Sequence, residues 1–179
     1  MKVCGLDAST SVVGITILDD LNVLLMTHVD LTKCSTFWEK CDVIEDELKK
    51  VFELYNPEVV VIEEAVKKFR TGFSSANTIS LLLRWNGIVS YMVYKLINVQ
   101  PTYISAGESR KLAGMKMLSK AKSGGTSHKE QAFEWCMSGP LVAVDFPKTK
   151  TGKWKPFVYD IVDSYVLARA GVFQAHNKK

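Results

Sequence analysis

Long hydrophobic runs are missing from this chain. No apolar stretch approaches the roughly 18 residues that a spanning helix needs, and the first residues lack the basic and apolar regions of a secretory leader. Both absences predict an intracellular, cytoplasmic protein. Cysteine is also sparse: Cys4, Cys34, Cys41 and Cys136 are scattered with no Cys-x-x-Cys pair. That argues against zinc or a disulfide framework and for reduced thiols, three of them expected in the core. No internal repeat is visible. Acids are missing from two stretches that are rich in cations. Between Arg110 and Lys129 there are six (Arg110, Lys111, Lys116, Lys120, Lys122, Lys129), and Lys148, Lys150, Lys153 and Lys155 follow within eight residues.

What is present is enough for one domain over residues 1–179. The chain is 47% hydrophobic, and a core of that size needs no staples. The net charge of +4 hides an asymmetry: residues 1–63 carry five Lys/Arg against twelve Asp/Glu, and residues 64–179 carry eighteen against seven. Charge runs are commonly just a solvated face. Two of them flanking a set of carboxylates read instead as a phosphate-tracking footprint.

Alternation and turn residues predict strands over Val3–Leu6, Val12–Leu18 and Val23–Leu31, paired antiparallel through tight turns. Apolar spacing predicts a helix from Phe37 to Tyr55, closed by Asn56-Pro57. The β-branched run Val59-Val60-Val61-Ile62 predicts a buried strand parallel to the first, so that Asp7 and Glu63 emerge at one sheet edge. The next segment, with Lys67, Lys68, Phe69, Arg70 and Phe73, reads as a loop whose aromatics either cover the core or stack on bases.

Ser74 or Ser75 is expected to cap a helix reaching Ile97. It is apolar nearly all round, which makes it a central core helix or the contact of a two-fold dimer. A strand at Pro101–Ile104 and a short helix at Ala106–Ala113 follow. Gly114–Ser127 reads as flexible and basic. Ser127-His128-Lys129-Glu130 has capping-box spacing and opens a helix to about Met137. Residues 142–158 read as a basic hairpin or arm turning at Gly152, and the last helix is expected from about Asp160 to Gln174.

Asp160 and Asp163 are three apart and share one helix face. As a pair they match an ordinary N-cap with an acid at the third position. Joined by Asp7 and Glu63 at strand ends, they form four carboxylates able to hold two Mg²⁺ ions about 4 Å apart. Glu64 is an alternative to Glu63, since strand alternation sends only one of the two inward.

Gly5-Leu6-Asp7-x-Ser9, Val61-Ile62-Glu63 and Asp160-x-x-Asp163, in this order and over essentially the whole chain, resemble the RuvC-type Holliday-junction resolvases of the RNase H-like superfamily, in a phage or viral variant. The resemblance implies a mixed five-stranded α/β sheet, three antiparallel strands and then parallel ones, with helices on both faces. It implies a homodimer, here through the helix at about 75–97, and Mg²⁺-dependent nicking of four-way DNA, with Mn²⁺ able to substitute. It makes Asp7, Glu63, Asp160 and Asp163 the metal-binding acids and Lys129 a catalytic cation, with Arg110 or Lys111 as the other basic residue. Lys67, Lys68, Phe69, Arg70, Arg110, Lys111, Lys116, Lys120, Lys122, Lys129 and the arm's Lys148, Lys150, Lys153 and Lys155 would bind DNA. Family spacing puts the aromatic after the catalytic Glu at Val66, and Phe69 carries the ring here. Ala8-Ser9 and the long arm before Asp160 depart from the family pattern.

Other readings are a nuclease for forks, flaps or RNA–DNA hybrids, and a junction-binding module whose acids only cap and turn. An actin-like ATPase needs two such domains and a second phosphate loop, for which the chain is too short.

Overall fold

Strand alternation decides which residues of this sheet meet which layer of helices. The structure, a computed structural model, describes residues 1–65 and 76–177. Within them the chain runs β1 (Lys2–Ala8), β2 (Val12–Asp19), β3 (Asn22–Asp30), α1 (Phe37–Tyr55), β4 (Val59–Glu63), α2 (Ala76–Ile97), β5 (Thr102–Ile104), α3 (Ala106–Leu112), α4 (His128–Ser138) and α5 (Phe157–His176). The five strands form one sheet in the order β3-β2-β1-β4-β5. β1, β2 and β3 pair antiparallel, while β1–β4 and β4–β5 pair parallel. This is the mixed five-stranded sheet expected.

Two cores lie on its two faces. Cys4, Leu6, Ile15, Ile17, Val60 and Ile62 point toward α1 and α2, where they meet Ile44, Leu48, Trp85 and Val89. Val3, Leu18 and Val61 point toward α5, which covers them with Val162, Tyr165, Val166 and Ala170. Cys4, Cys41 and Cys136 are buried, and all four cysteines are free. No helix among the described residues is long and apolar enough to cross a membrane.

The α5 backbone approaches the sheet closely because glycines give it room. A Cβ on Gly5 would overlap the Ser164 carbonyl oxygen, and one on Gly14 would overlap that of Asp160. A glycine inside a strand pattern marks this kind of backbone approach. Thr16 and Ser164, both fully buried, join hydroxyls at 2.8 Å across the same interface.

Two expectations need correction. The last helix begins at Phe157, not Asp160: Pro156 precedes it and no side chain caps it. Phe157 instead stacks on His28 of β3, ring centroids 3.8 Å apart and nearly parallel. Asp160 is therefore one turn inside the helix, and its reading as an N-cap falls. The arm is also shorter than residues 142–158, since Phe157 and Val158 belong to α5. What remains is a finger closed by a single bridge between Lys148 and Trp154, with the Lys148 ammonium 4.2 Å from the Trp154 ring and a turn at Gly152. The segment at 114–127 carries hydrogen bonds within itself and to α4: Gly125 N–H donates to Lys120 O, Leu118 N–H donates to Gln131 Oε1, and Gln131 Nε2 donates to Thr126 O.

The loop with Lys67, Lys68, Phe69 and Arg70, and the caps at Ser74 or Ser75, lie outside the described residues. From Ala76 onward α2 buries Trp85, Val89, Met92 and Val93 against the sheet. Leu83, Gly87, Tyr91 and Tyr94 form an exposed stripe along its other side, with Tyr91 62% and Leu83 48% exposed. The helix is thus a core helix on one side only.

Candidate active site

Asp7 sits near the end of β1 on the face turned to α5, because Val3, Gly5 and Asp7 alternate to that side. On β4 the same alternation carries Val61 and Glu63 there, one step beyond the Leu6–Ile62 pair that joins the two strands. α5 supplies Asp160 and Asp163 from consecutive turns. Its register over the sheet is set by Gly14, the β2 partner of Asp7, against which the Asp160 backbone rests.

The four acids feel one another. Burial, then the charges of Asp163, Glu63 and Asp160, hold the Asp7 carboxyl well above the ordinary carboxylate range. Glu63 is raised by burial and by Asp163, with Arg110 and Lys129 opposing. Burial also raises Asp160, against the pull of Lys129. Glu64 lies beyond the last residue of β4, its backbone N–H donating to Ile104 O at 3.0 Å. Of the two neighbouring acids, Glu63 is the one that faces the cluster.

Lys129 enters from the first turn of α4. Ser127 and Glu130 cap that helix reciprocally, as their spacing predicts. The Lys129 Nζ is 2.8 Å from Asp163 Oδ2, and its side chain is 52% exposed. Of the two cations considered at the end of α3, Arg110 is half-buried and acts on Glu63, whereas Lys111 is exposed. Lys116, Lys120, Lys122, Lys148, Lys150, Lys153 and Lys155 are exposed, on the loop leading into α4 and on the finger leading into α5.

Three supporting residues carry weaker signals in the sequence. Asn86, 9% exposed, donates from Nδ2 to the Glu63 carbonyl oxygen at 2.9 Å and so ties α2 to the strand end. It lines a shallow groove with Asp7, Ser9, Glu63, Glu64 and Leu82. A carboxamide amid the apolar residues of α2 was its signal. Ser9 holds the β1–β2 turn, its Oγ accepting from Val12 N–H and donating to Val12 O. His28, through Phe157, fixes the turn of α5 that precedes Asp160.

Chemically the site is a concentration of hard oxygen donors with too little positive charge around it. That donor set fits a small divalent cation of the Mg²⁺ type. Among the described residues, no three His, Cys, Asp or Glu side chains are gathered closely enough to share one ion. Asp163 is turned to Lys129.

No protein-family model matches the chain, and no curated protein sequence does. Solved structures do. RuvC of Thermus thermophilus in complex with a Holliday junction substrate superposes with a TM-score of 0.69 at 18% identity, covering 99% of this chain and 96% of that one. A second Thermus thermophilus RuvC structure gives 0.66, also at 18% identity, over 99% and 97%. The yeast mitochondrial Holliday junction resolvase Ydc2 gives 0.58 at 14% identity, over 98% and 80%. At these identities the likeness is one of architecture: over nearly its whole length, this chain has the RNase H-like fold of the RuvC-type resolvases.

Proposed function

We propose that this chain is a metal-dependent, structure-selective endodeoxyribonuclease that resolves four-way DNA junctions by paired nicks. The observation that carries the reading is the convergence of Asp7, Glu63, Asp160 and Asp163 from three elements on one face of a RuvC-type fold, with Lys129 beside them. Two neighbours with this fold are described as a RuvC bound to a Holliday junction and a Holliday junction resolvase.

Asp7, Glu63, Asp160 and Asp163 would hold two Mg²⁺ ions, which supply an activated water and stabilise the departing 3′-oxygen. The chain's own residues do the rest. Asp7 and Glu63 stand at strand ends and Asp160 and Asp163 on α5, so the packed sheet and helix hold the backbones that carry the donors before substrate arrives. Asn86 holds the Glu63 strand end in place. Lys129 and Arg110 offset negative charge that grows on the scissile phosphate. The exposed lysines of the 116–122 loop and of the finger track phosphates on either side. The stripe of Leu83, Gly87, Tyr91 and Tyr94 on α2 joins two copies, so that a two-fold junction meets two sites.

The test is a panel of labelled four-way junction, linear duplex and RNA–DNA hybrid with Mg²⁺, repeated in chelator and with Asp7→Asn. Nicking confined to the junction, and absent in chelator and in the variant, is expected. Preferential cutting of hybrid or duplex would replace the junction as substrate. Tight junction binding with no nicking, unaffected by chelator, would make the chain a binding module.

A further inference from the structure

Lys129 does more than sit near the acids. Its ammonium is ion-paired to Asp163 at 2.8 Å, and its charge acts on Asp7, Glu63 and Asp160 as well. It stands inside the negative field that a divalent cation would neutralise. The capping box of Ser127 and Glu130 fixes the backbone at this point. The half-exposed side chain beyond it is a flexible four-carbon stem ending in a compact point charge. Asp163 is thus engaged by a cation of the chain itself, and among the described residues no three carboxylates are gathered closely enough to share one ion.

Building on the nuclease reading above, we propose that Lys129 is a resident stand-in for the metal: its ammonium occupies the cluster in the metal-free protein, and a divalent cation enters by displacing it from Asp163. The exchange replaces one positive charge with two among the same acids, which electrostatics favours. It also sets the freed ammonium loose at the mouth of the site, where a phosphate would lie. Loading of metal and presentation of Lys129 to DNA become one event. The lysine meanwhile spares the empty protein part of the repulsion among its acids.

Two measurements without DNA test this. Titration calorimetry with Mn²⁺ on the whole chain compares wild type with Lys129→Met and Lys129→Gln, each checked for folding by circular dichroism. Both variants are expected to bind Mn²⁺ about threefold to tenfold more tightly, the size of a part-exposed ion pair. In wild type, mass spectrometry follows reductive methylation of each lysine with and without Mn²⁺. Lys129 is expected to react severalfold faster once metal is bound, with Lys122 and Lys150 unchanged.

Equal or weaker Mn²⁺ binding by both variants overturns the proposal. So does Lys129 labelling that is unchanged or slower with metal, even if the variants bind more tightly, because mere charge repulsion would then explain the affinity. Absence of any Mn²⁺ binding by wild type would sink the nuclease reading along with it. Tight binding with no exchange sinks only this inference.

Discussion

Gly14 is the cross-strand partner of Asp7, and the backbone of Asp160 rests directly on it, leaving no room for a Cβ. One glycine thus sets the separation between the acid of the first strand and the acids of the last helix.

Gly14→Ala is expected to push α5 off the sheet at Asp160. Overpacking of this kind costs about 1–3 kcal/mol, which lowers the melting temperature by several degrees in a chain of this length. Nicking should fall more steeply, on the order of 10²-fold, because ångström-scale misplacement is that damaging to catalysis. Gly107→Ala on α3, which has open space around it, is the control and should preserve both. Equal activity for Gly14→Ala and wild type would show that the glycine does not set the site.

The acids make a sign-specific prediction about pH. Asp7, Glu63 and Asp160 are all held above the ordinary carboxylate range, chiefly by burial. The folded protein therefore keeps protons that the unfolded chain has released. Their contribution to stability is present below the ordinary range and is lost as pH rises through the raised values. In chelator at neutral pH, Asp7→Asn should melt above wild type by on the order of a few degrees. The gap should close as the pH approaches about 4. A gap independent of pH, followed by thermal melts across the range, would contradict the assignment.

The finger makes a prediction about salt. Lys150 and Lys153 lie at its exposed tip, while Lys148 is packed over Trp154. Each phosphate that a lysine neutralises contributes about −0.9 to the slope of log affinity against log salt. Lys150→Gln with Lys153→Gln should flatten that slope for junction DNA by roughly 2, with little change in the rate at saturating substrate. An unchanged slope would remove the finger from the DNA interface.

The α2 stripe predicts the assembly. Leu83, Tyr91 and Tyr94 are exposed and lie on one helical face around Gly87. A dimer should be seen by light scattering on a sizing column, and Tyr91→Glu should yield monomers that still bind a junction. Monomeric wild type would leave the stripe without that role.

The fold was largely legible because its strands announce themselves. The apolar run ending in Asp7 and the β-branched run ending in Glu63 predict both the parallel pairing and the shared sheet edge. The α4 start was equally readable, since Ser127 and Glu130 form a cap from local spacing alone. The start of α5 was misread for a tertiary reason. Asp160 has the chemistry of a cap, but the stack of Phe157 on His28, a residue far back in the chain, supports one more turn. Pro156, just ahead of that turn, was the local signal. Arg110 and Lys111 could not be separated by sequence, because their order decides nothing until α3 is laid against Glu63. The contribution of Asn86 likewise depends on where β4 ends.

Paired nicking is tested most directly on a supercoiled plasmid that extrudes a cruciform. Two coordinated nicks across the junction convert it straight to linear DNA. A single nick releases the supercoiling, the cruciform is reabsorbed, and nicked circles accumulate. A dimer with one four-acid site in each copy is expected to give linear product from the earliest times with Mg²⁺, and none with Asp7→Asn. Nicked circles as the main product, or linear DNA from Asp7→Asn, would contradict it.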